Sequence, residues 1–382
     1  MAGAAGSIGA LALGVSVLRG RHDDAPDGDT VESKVPSTVS LRRVARIRFE
    51  KVQVSGRDQY ALSGAACPLA WSPDGRWLLV SIGGSTAILF DTSTWKEVRR
   101  LESMTGMYDR AMAFVSNTEF VTDPSNDYAR KWILEVSNIE SAQPIRRIAR
   151  PAGYEDIQTG QVTATSSRKY IVANAVRGNH QMPLLFETGN GRFMGPLAVP
   201  ESPQSYRLAG GLGDRLGAFA EQSWSAVNND KKIYLLDAAT NTVDRTLSGH
   251  ADHAKSLAWS PDGRLLATGT RGAHSIGSTP IRGLDLLPIW DVGSGKLITS
   301  FTEEAESIEE VAWHPLGKIL ATRSSRSGEV VRLWSMVEKR LIFEHEAQRG
   351  NFIYTQSFHP LTGHLVWGRA GALDVFEIVG AP

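Results

Sequence analysis

Histidines, serines and a lone cysteine are the first places to look for chemistry in this chain. His250 and His253 stand three apart, a spacing that could present two metal ligands on one helix face. No further histidine or carboxylate follows at helical spacing, and no helix is predicted there, so no metal centre is expected. A serine hydrolase needs a Gly-x-Ser-x-Gly elbow between a strand and a helix. The nearest string is Ala273-His274-Ser275-Ile276-Gly277, with alanine at the first glycine and no alternating strand–helix pattern around it. It reads as a polar loop. A glycine-rich phosphate loop ending in Gly-Lys-Ser/Thr is absent from the sequence. Cys67 is the only cysteine. It can form neither an internal disulfide nor a zinc site of several thiolates, and within the apolar run 65–71 it reads as a small buried hydrophobe. Neither catalysis nor a cofactor is therefore expected.

Charge gives little direction. The 41 basic and 41 acidic residues balance, so no overall field draws the protein to nucleic acid or to an anionic membrane. Residues 2–18 are uncharged and rich in glycine and alanine. Their most apolar part, 8–18, is short for a bilayer span, no basic residue precedes it, and Arg19 and Arg21 follow. The segment resembles the middle of a bacterial export signal of the twin-arginine kind without its arginine pair; the alternative is a disordered leader. The balance leans towards an exported or membrane-attached chain, with a cytoplasmic one as the alternative. Residues 22–40 are polar and read as a linker. Residues 1–40 are thus separated from a folded domain over 41–382.

The elements that would position any site are set by an internal repeat. Ala70-Trp71-Ser72-Pro73-Asp74-Gly75-Arg76 recurs as Ala258-Trp259-Ser260-Pro261-Asp262-Gly263-Arg264, as Ala312-Trp313-His314-Pro315-Leu316-Gly317-Lys318, and more weakly as Ser357-Phe358-His359-Pro360-Leu361-Thr362-Gly363. Each copy lies between apolar segments, and its proline, glycine and short polar side chains suit a tight turn. Downstream, an acidic residue is followed ten positions later by a large apolar one: Asp91 and Leu101, Glu187 and Leu197, Asp237 and Leu247, Asp291 and Phe301. The first motif is a hairpin of strands one and two, the second a hairpin of strands three and four. Seven such units follow at steps of roughly 43 to 54 residues. Units three and four have lost the Pro-Asp-Gly turn and are placed near Ala164 and Gly211 by spacing.

Leu247-Ser-Gly249-His250, Leu257-Ala-Trp259-Ser-Pro-Asp-Gly, Leu266-Ala-Thr-Gly269 and Ile289-Trp290-Asp291 together resemble a WD repeat. The chain resembles a divergent, bacterial-type member of that family, since only unit five carries both the Gly-His and the Trp-Asp pair. The resemblance implies an all-β, seven-bladed propeller of four-stranded antiparallel blades, with Trp71, Trp259, Trp290 and Trp313 packed between blades. In such repeats the Gly-His histidine hydrogen-bonds within its blade to an aspartate six residues before the Trp of Trp-Asp. Position 284 is leucine and Asp285 stands one place late, which puts that network in question. The last unit runs out before a fourth strand, and residues 45–54 have strand character without a nearby partner. They are predicted to supply the missing outer strand of blade seven.

The resemblance further implies that partners bind on one face, built from the loops between strands two and three and the connections between blades. The first set falls near 126–130, 177–180, 223–229, 271–287, 323–329 and 369–371. It carries Arg177, Arg271, Arg282, Arg323, Arg326 and Arg369. The longest member, 271–287, is the first candidate for a specificity loop. The second set is acidic, with Glu303, Glu304, Glu306, Glu309 and Glu310, and with Glu344 and Glu346 in an equivalent connection. Trp224, His274, Arg282, Arg323 and Arg326 are the candidate partner-binding residues; the rival expectation is that arginines and carboxylates screen one another. The expected function is a non-catalytic scaffold that holds a protein partner, with the propeller itself a monomer. Two alternatives stand beside it: a periplasmic six-bladed propeller resembling the Tol-system translocation protein, and a lactonase- or quinoprotein-like propeller enzyme.

Overall fold

Ser72 shows why the repeated heptapeptide turns. Its hydroxyl donates to Asp74 Oδ1 at 2.6 Å and accepts the Trp77 amide at 2.9 Å, while the Gly75 amide reaches the Ser72 carbonyl. Ser260 and Asp262 repeat these bonds in unit five. Unit three keeps the pattern with different letters: Thr165 and Ser167 bond to each other, and the Tyr170 amide reaches Thr165 Oγ1. The outer hairpin is set the same way. Asp291 accepts the Ser294 amide on its carboxylate and the Gly295 amide on its carbonyl.

The computed structural model describes residues 21–22 and 29–380, apart from 49–51, 55–56, 60–68, 82–85, 103–111, 124–131, 142, 155–157, 178–179, 201, 203–205, 221–230, 251–252, 271–284, 303–306, 326–328, 348–352 and 370–371. Among the described residues there is no helix. Seven four-stranded antiparallel blades form a β-propeller, each ordered from an inner to an outer strand. Blade six is typical: Ile308–Trp313, Ile319–Ser325, Glu329–Ser335 and Arg340–Glu346. The inner strands follow one another around a central channel, and that of blade seven, Ile353–Phe358, meets that of blade one, Leu69–Trp71.

The core is divided accordingly. Seven apolar clusters among the described residues each fill the space between two neighbouring blades. The one between blades seven and one joins Ala45, Ile47, Val366 and Val375 to Leu78, Val80, Ile88 and Phe90. The acid-plus-ten residues Leu101, Leu197, Leu247 and Phe301 are all buried.

Blade seven is completed by the N-terminal part of the chain, as the sequence predicts, but with different bounds. Ser40–Arg48 pairs antiparallel with Ala372–Val379, with Leu41 opposite Ile378 and Ile47 opposite Leu373. Val52–Val54 instead turns back on Arg57–Gln59 in a separate hairpin. A register shift between Arg43 and Ala45 explains the difference. It turns Leu41 to one face of the sheet and Ala45 and Ile47 to the other, although the three stand an even number of residues apart, so the two halves do not read as one strand. Residues 29–40, assigned to the linker from composition, lie along outer edges. Thr30–Val31 pairs with the closing strand. The Lys34 amide reaches the Glu344 carbonyl at 2.9 Å, and Ser33 Oγ accepts the Glu344 amide at 3.1 Å, on the outer strand of blade six.

Candidate partner face and central channel

The antiparallel order places two loop sets at opposite ends of the ring. Turns between strands one and two occupy one end. Loops between strands two and three share the other end with the connections between blades. Trp224, His274, Arg282 and Arg326 all lie outside the described residues, as do Cys67, the Ser275 string, and Glu303, Glu304 and Glu306.

Arg323 is described, and it is spent inside blade six. Its side chain is 8% exposed, with Nε 3.3 Å from Glu310 Oε2 and Nη1 2.7 Å from Glu329 Oε2. Burial disfavours the guanidinium charge, but the two carboxylates outweigh it and hold Arg323 above its ordinary pKa. Glu329 moves up as well, because burial outweighs its attraction to Arg323. Glu310 also accepts the backbone amide of Gln356 at 2.8 Å, tying blade six to the inner strand of blade seven. Arg369 is likewise internal. Asp374, with no exposed surface, is met by Arg46 Nε at 2.5 Å, Arg369 Nε at 3.0 Å and Arg43 Nε at 3.5 Å. These arginines hold strands together; Arg43 and Arg46 belong to the closing strand, so Asp374 fastens the ring's seam. Glu309 and Glu310, read as connection residues, lie in the inner strand of blade six, and Glu344 and Glu346 in its outer strand.

In blade five the histidine network forms around Thr268. Its Oγ1 accepts Trp290 Nε1 at 3.2 Å and lies 3.4 Å from His250 Nε2, while the His250 ring covers Trp290 at 4.5 Å. Burial lowers the His250 pKa to about 4. Position 284 is outside the described residues. Among the described residues, no three of His, Cys, Asp or Glu gather as a metal-ligand set.

At the opposite end, the inner turns touch one another around the ring. The three tryptophans that precede the inner turns donate their indole N–H to the preceding blade: Trp313 to Ala258 O at 2.9 Å, Trp259 to Ala209 O at 3.3 Å, and Trp71 to Ser357 Oγ at 2.8 Å. His314 stands edge-on to Phe358, and His359 packs against Trp71. Gly75, at φ +70°, lies so close to His359 that a Cβ there would collide with the ring. Arg168 holds the equivalent place in blade three at φ +62°. That unit has Ala164 where the tryptophan would stand. Arg168 Nη1 donates to Phe114 O at 2.9 Å and so takes over the tie to blade two. Sequence reasoning missed Arg168, although the joint loss of Trp and Gly from one unit was visible.

Inside the ring of inner strands lies a cavity of about 320 Å³, bordered by blades one, two, three, six and seven. Residues 241–274 match the family described as "WD domain, G-beta repeat". The chain is a seven-bladed β-propeller that carries a WD repeat. The matched stretch is the outer strand of blade four followed by the first two strands of blade five, so the sequence repeat is offset from the blade by one strand. The propeller is similar to a chromatin assembly factor 1 subunit of Mus musculus, 33% identical over 114 residues, covering 30% of the chain and 18% of that protein. It is also similar to the anaphase-promoting complex subunit cdc20 of Dictyostelium discoideum, 28% identical over 134 residues, or 33% of the chain and 24% of the relative. The B-type cell cycle switch protein ccs52A of Medicago truncatula matches at 28% over 167 residues, 42% and 31% respectively. The matches thus span less than a third of each relative.

Proposed function

We propose that this WD-repeat propeller is a non-catalytic scaffold that holds a protein partner on the face bearing the strand two-to-three loops and the blade connections. The observation that carries the reading is the similarity of its repeats to proteins named as subunits of larger assemblies, a chromatin assembly factor and an anaphase-promoting complex. The ring suits that work: a closed set of blades presents loops from fixed ends and needs no movement of its own. The seven blades favour this reading over a six-bladed periplasmic propeller.

On this reading Trp224, His274, Arg282 and Arg326 meet the partner. Trp224 serves as an apolar anchor and the arginines face an anionic surface. Arg323 holds Glu310 and Glu329 inside blade six and does not itself meet the partner. The test is affinity capture with mass spectrometry on the full chain, comparing the native protein with a variant combining Trp224→Ala, Arg282→Glu and Arg326→Glu. Loss of specific partners with an unchanged melting temperature is expected. Equal capture by both proteins would overturn this assignment of the face.

A further inference from the structure

We infer that the central cavity is a binding site for a small carboxylate, held between the guanidinium of Arg168 and the side-chain amide of Gln356. The inference concerns the channel rather than the loop face, and it stands whichever partner that face takes.

Two glutamines on equivalent inner strands make the contrast. Gln161 of blade three spends its whole amide on the neighbouring strand: Nε2 donates to Leu208 O at 3.1 Å and Oε1 accepts the Leu208 amide at 3.2 Å. Gln356 of blade seven is 6% exposed and borders the cavity, yet neither its Nε2 nor its Oε1 has a hydrogen-bond partner among the described residues. A buried side-chain amide left in that condition destabilises the fold, because it has given up water without gaining a partner. An occupant that bonds it recovers that cost.

The charge of the cavity selects the occupant. Two ionisable side chains border it, Glu310 and Arg168. Glu310 is already answered by Arg323 and by the backbone N–H of Gln356. Arg168 uses one Nη on Phe114 O, its Nε is buried without a partner, and no carboxylate pairs with it among the described residues. Burial alone lowers its pKa, with no anion to compensate. A planar fork of N–H donors with no counter-ion fits a carboxylate. Gln356 Nε2 can donate to the same ligand, and its Oε1 can accept from a hydroxyl or an acid proton on it. The volume admits a small organic acid. Arg168 belongs to an inner turn, so the cation stands at the end of the channel opposite the proposed partner face.

The test is calorimetric titration of the full chain with acetate, succinate and citrate, with inorganic phosphate as a second oxyanion, alongside thermal melting. Saturable binding of at least one carboxylate, with a raised melting temperature, is expected. Arg168→Met should weaken it by about 10- to 100-fold, the worth of a charge-assisted hydrogen-bond pair; Arg168→Lys should retain part of it. Gln356→Leu should weaken binding while leaving the unliganded protein as stable or more so, because it removes the unmet amide. This second variant keeps the test decisive should Arg168→Met fold poorly. Absence of saturable heat with every carboxylate would overturn the proposal and leave water as the occupant. Equal affinity in Gln356→Leu and the native chain would overturn it too, as would binding of phosphate alone.

Discussion

The indole N–H of Trp71 donates a 2.8 Å hydrogen bond to the hydroxyl of Ser357, across 286 positions of sequence. It is the contact that Trp313 makes to Ala258 and Trp259 to Ala209 between consecutive units, here made between the last unit and the first. The seam is therefore built like an ordinary blade interface. Trp71→Phe removes the hydrogen bond and keeps most of the packing, so it should cost about 1 kcal/mol; Trp71→Ala should cost about 3–5 kcal/mol. Trp313→Phe serves as the internal reference in urea unfolding. Similar losses for the two phenylalanine variants are expected, and a negligible loss at Trp71 alone would mean that the seam is not closed there.

Asp374 should be among the least replaceable polar residues. It is fully buried and is approached by Arg43, Arg46 and Arg369. Asp374→Asn leaves three guanidinium groups with half their answer, and a loss of roughly 3–5 kcal/mol is expected. A midpoint of urea unfolding within experimental error of the native one would contradict the reading. Arg323→Met should behave alike, because it strands Glu310 and Glu329; it is a stability variant and not a probe of the partner face.

Gly75→Ala tests the ring of turns. The residue combines φ +70° with close approach to His359, so both backbone strain and a collision follow. A loss of about 1–3 kcal/mol is expected. Gly153→Ala, also at positive φ but with open space around it, should lose less. Equal losses would show that backbone strain alone matters and that the turns do not press on one another.

The histidines make folding pH-dependent. Burial holds His250 and His345 at about 4, against 6.5 for an exposed imidazole. Above pH 6.5 both folded and unfolded chains carry these rings neutral. As pH falls from 6.5 towards 4, the unfolded chain takes up protons that the folded chain refuses. Stability then declines by up to about 1.4 kcal/mol per pH unit for His250 and by less for the more exposed His345, levelling below about 4. Urea midpoints measured across that window should fall; His250→Gln should flatten the slope. A slope unchanged by that substitution would contradict the assignment.

The blades were legible because each turn is written in local chemistry. Ser72 with Asp74, and Ser260 with Asp262, close their turns within a few residues, so spacing alone located the hairpins. Units three and four were placed by period, and Gln158–Ala164 and Tyr206–Gly210 are their inner strands. What failed to show was non-local. The bulge between Arg43 and Ala45 hid half of the closing strand. Arg323 and Arg369 read as loop cations because nothing in sequence pairs them with Glu310, Glu329 or Asp374. The contrast between Gln161 and Gln356 exists only once the inner strands stand in a ring.

Closure by the N-terminal strand is tested most directly by a disulfide across it. Arg42 and Glu377 are opposite one another in that pairing, and facing positions on antiparallel strands lie within disulfide reach. With Cys67 replaced by serine, Arg42→Cys combined with Glu377→Cys should oxidise rapidly and within one chain. Arg42→Cys combined with Ala372→Cys, at the far end of the same strand, should not. Equal and slow cross-linking of the two pairs, or linkage only between molecules, would contradict a ring clasped by both ends of the chain.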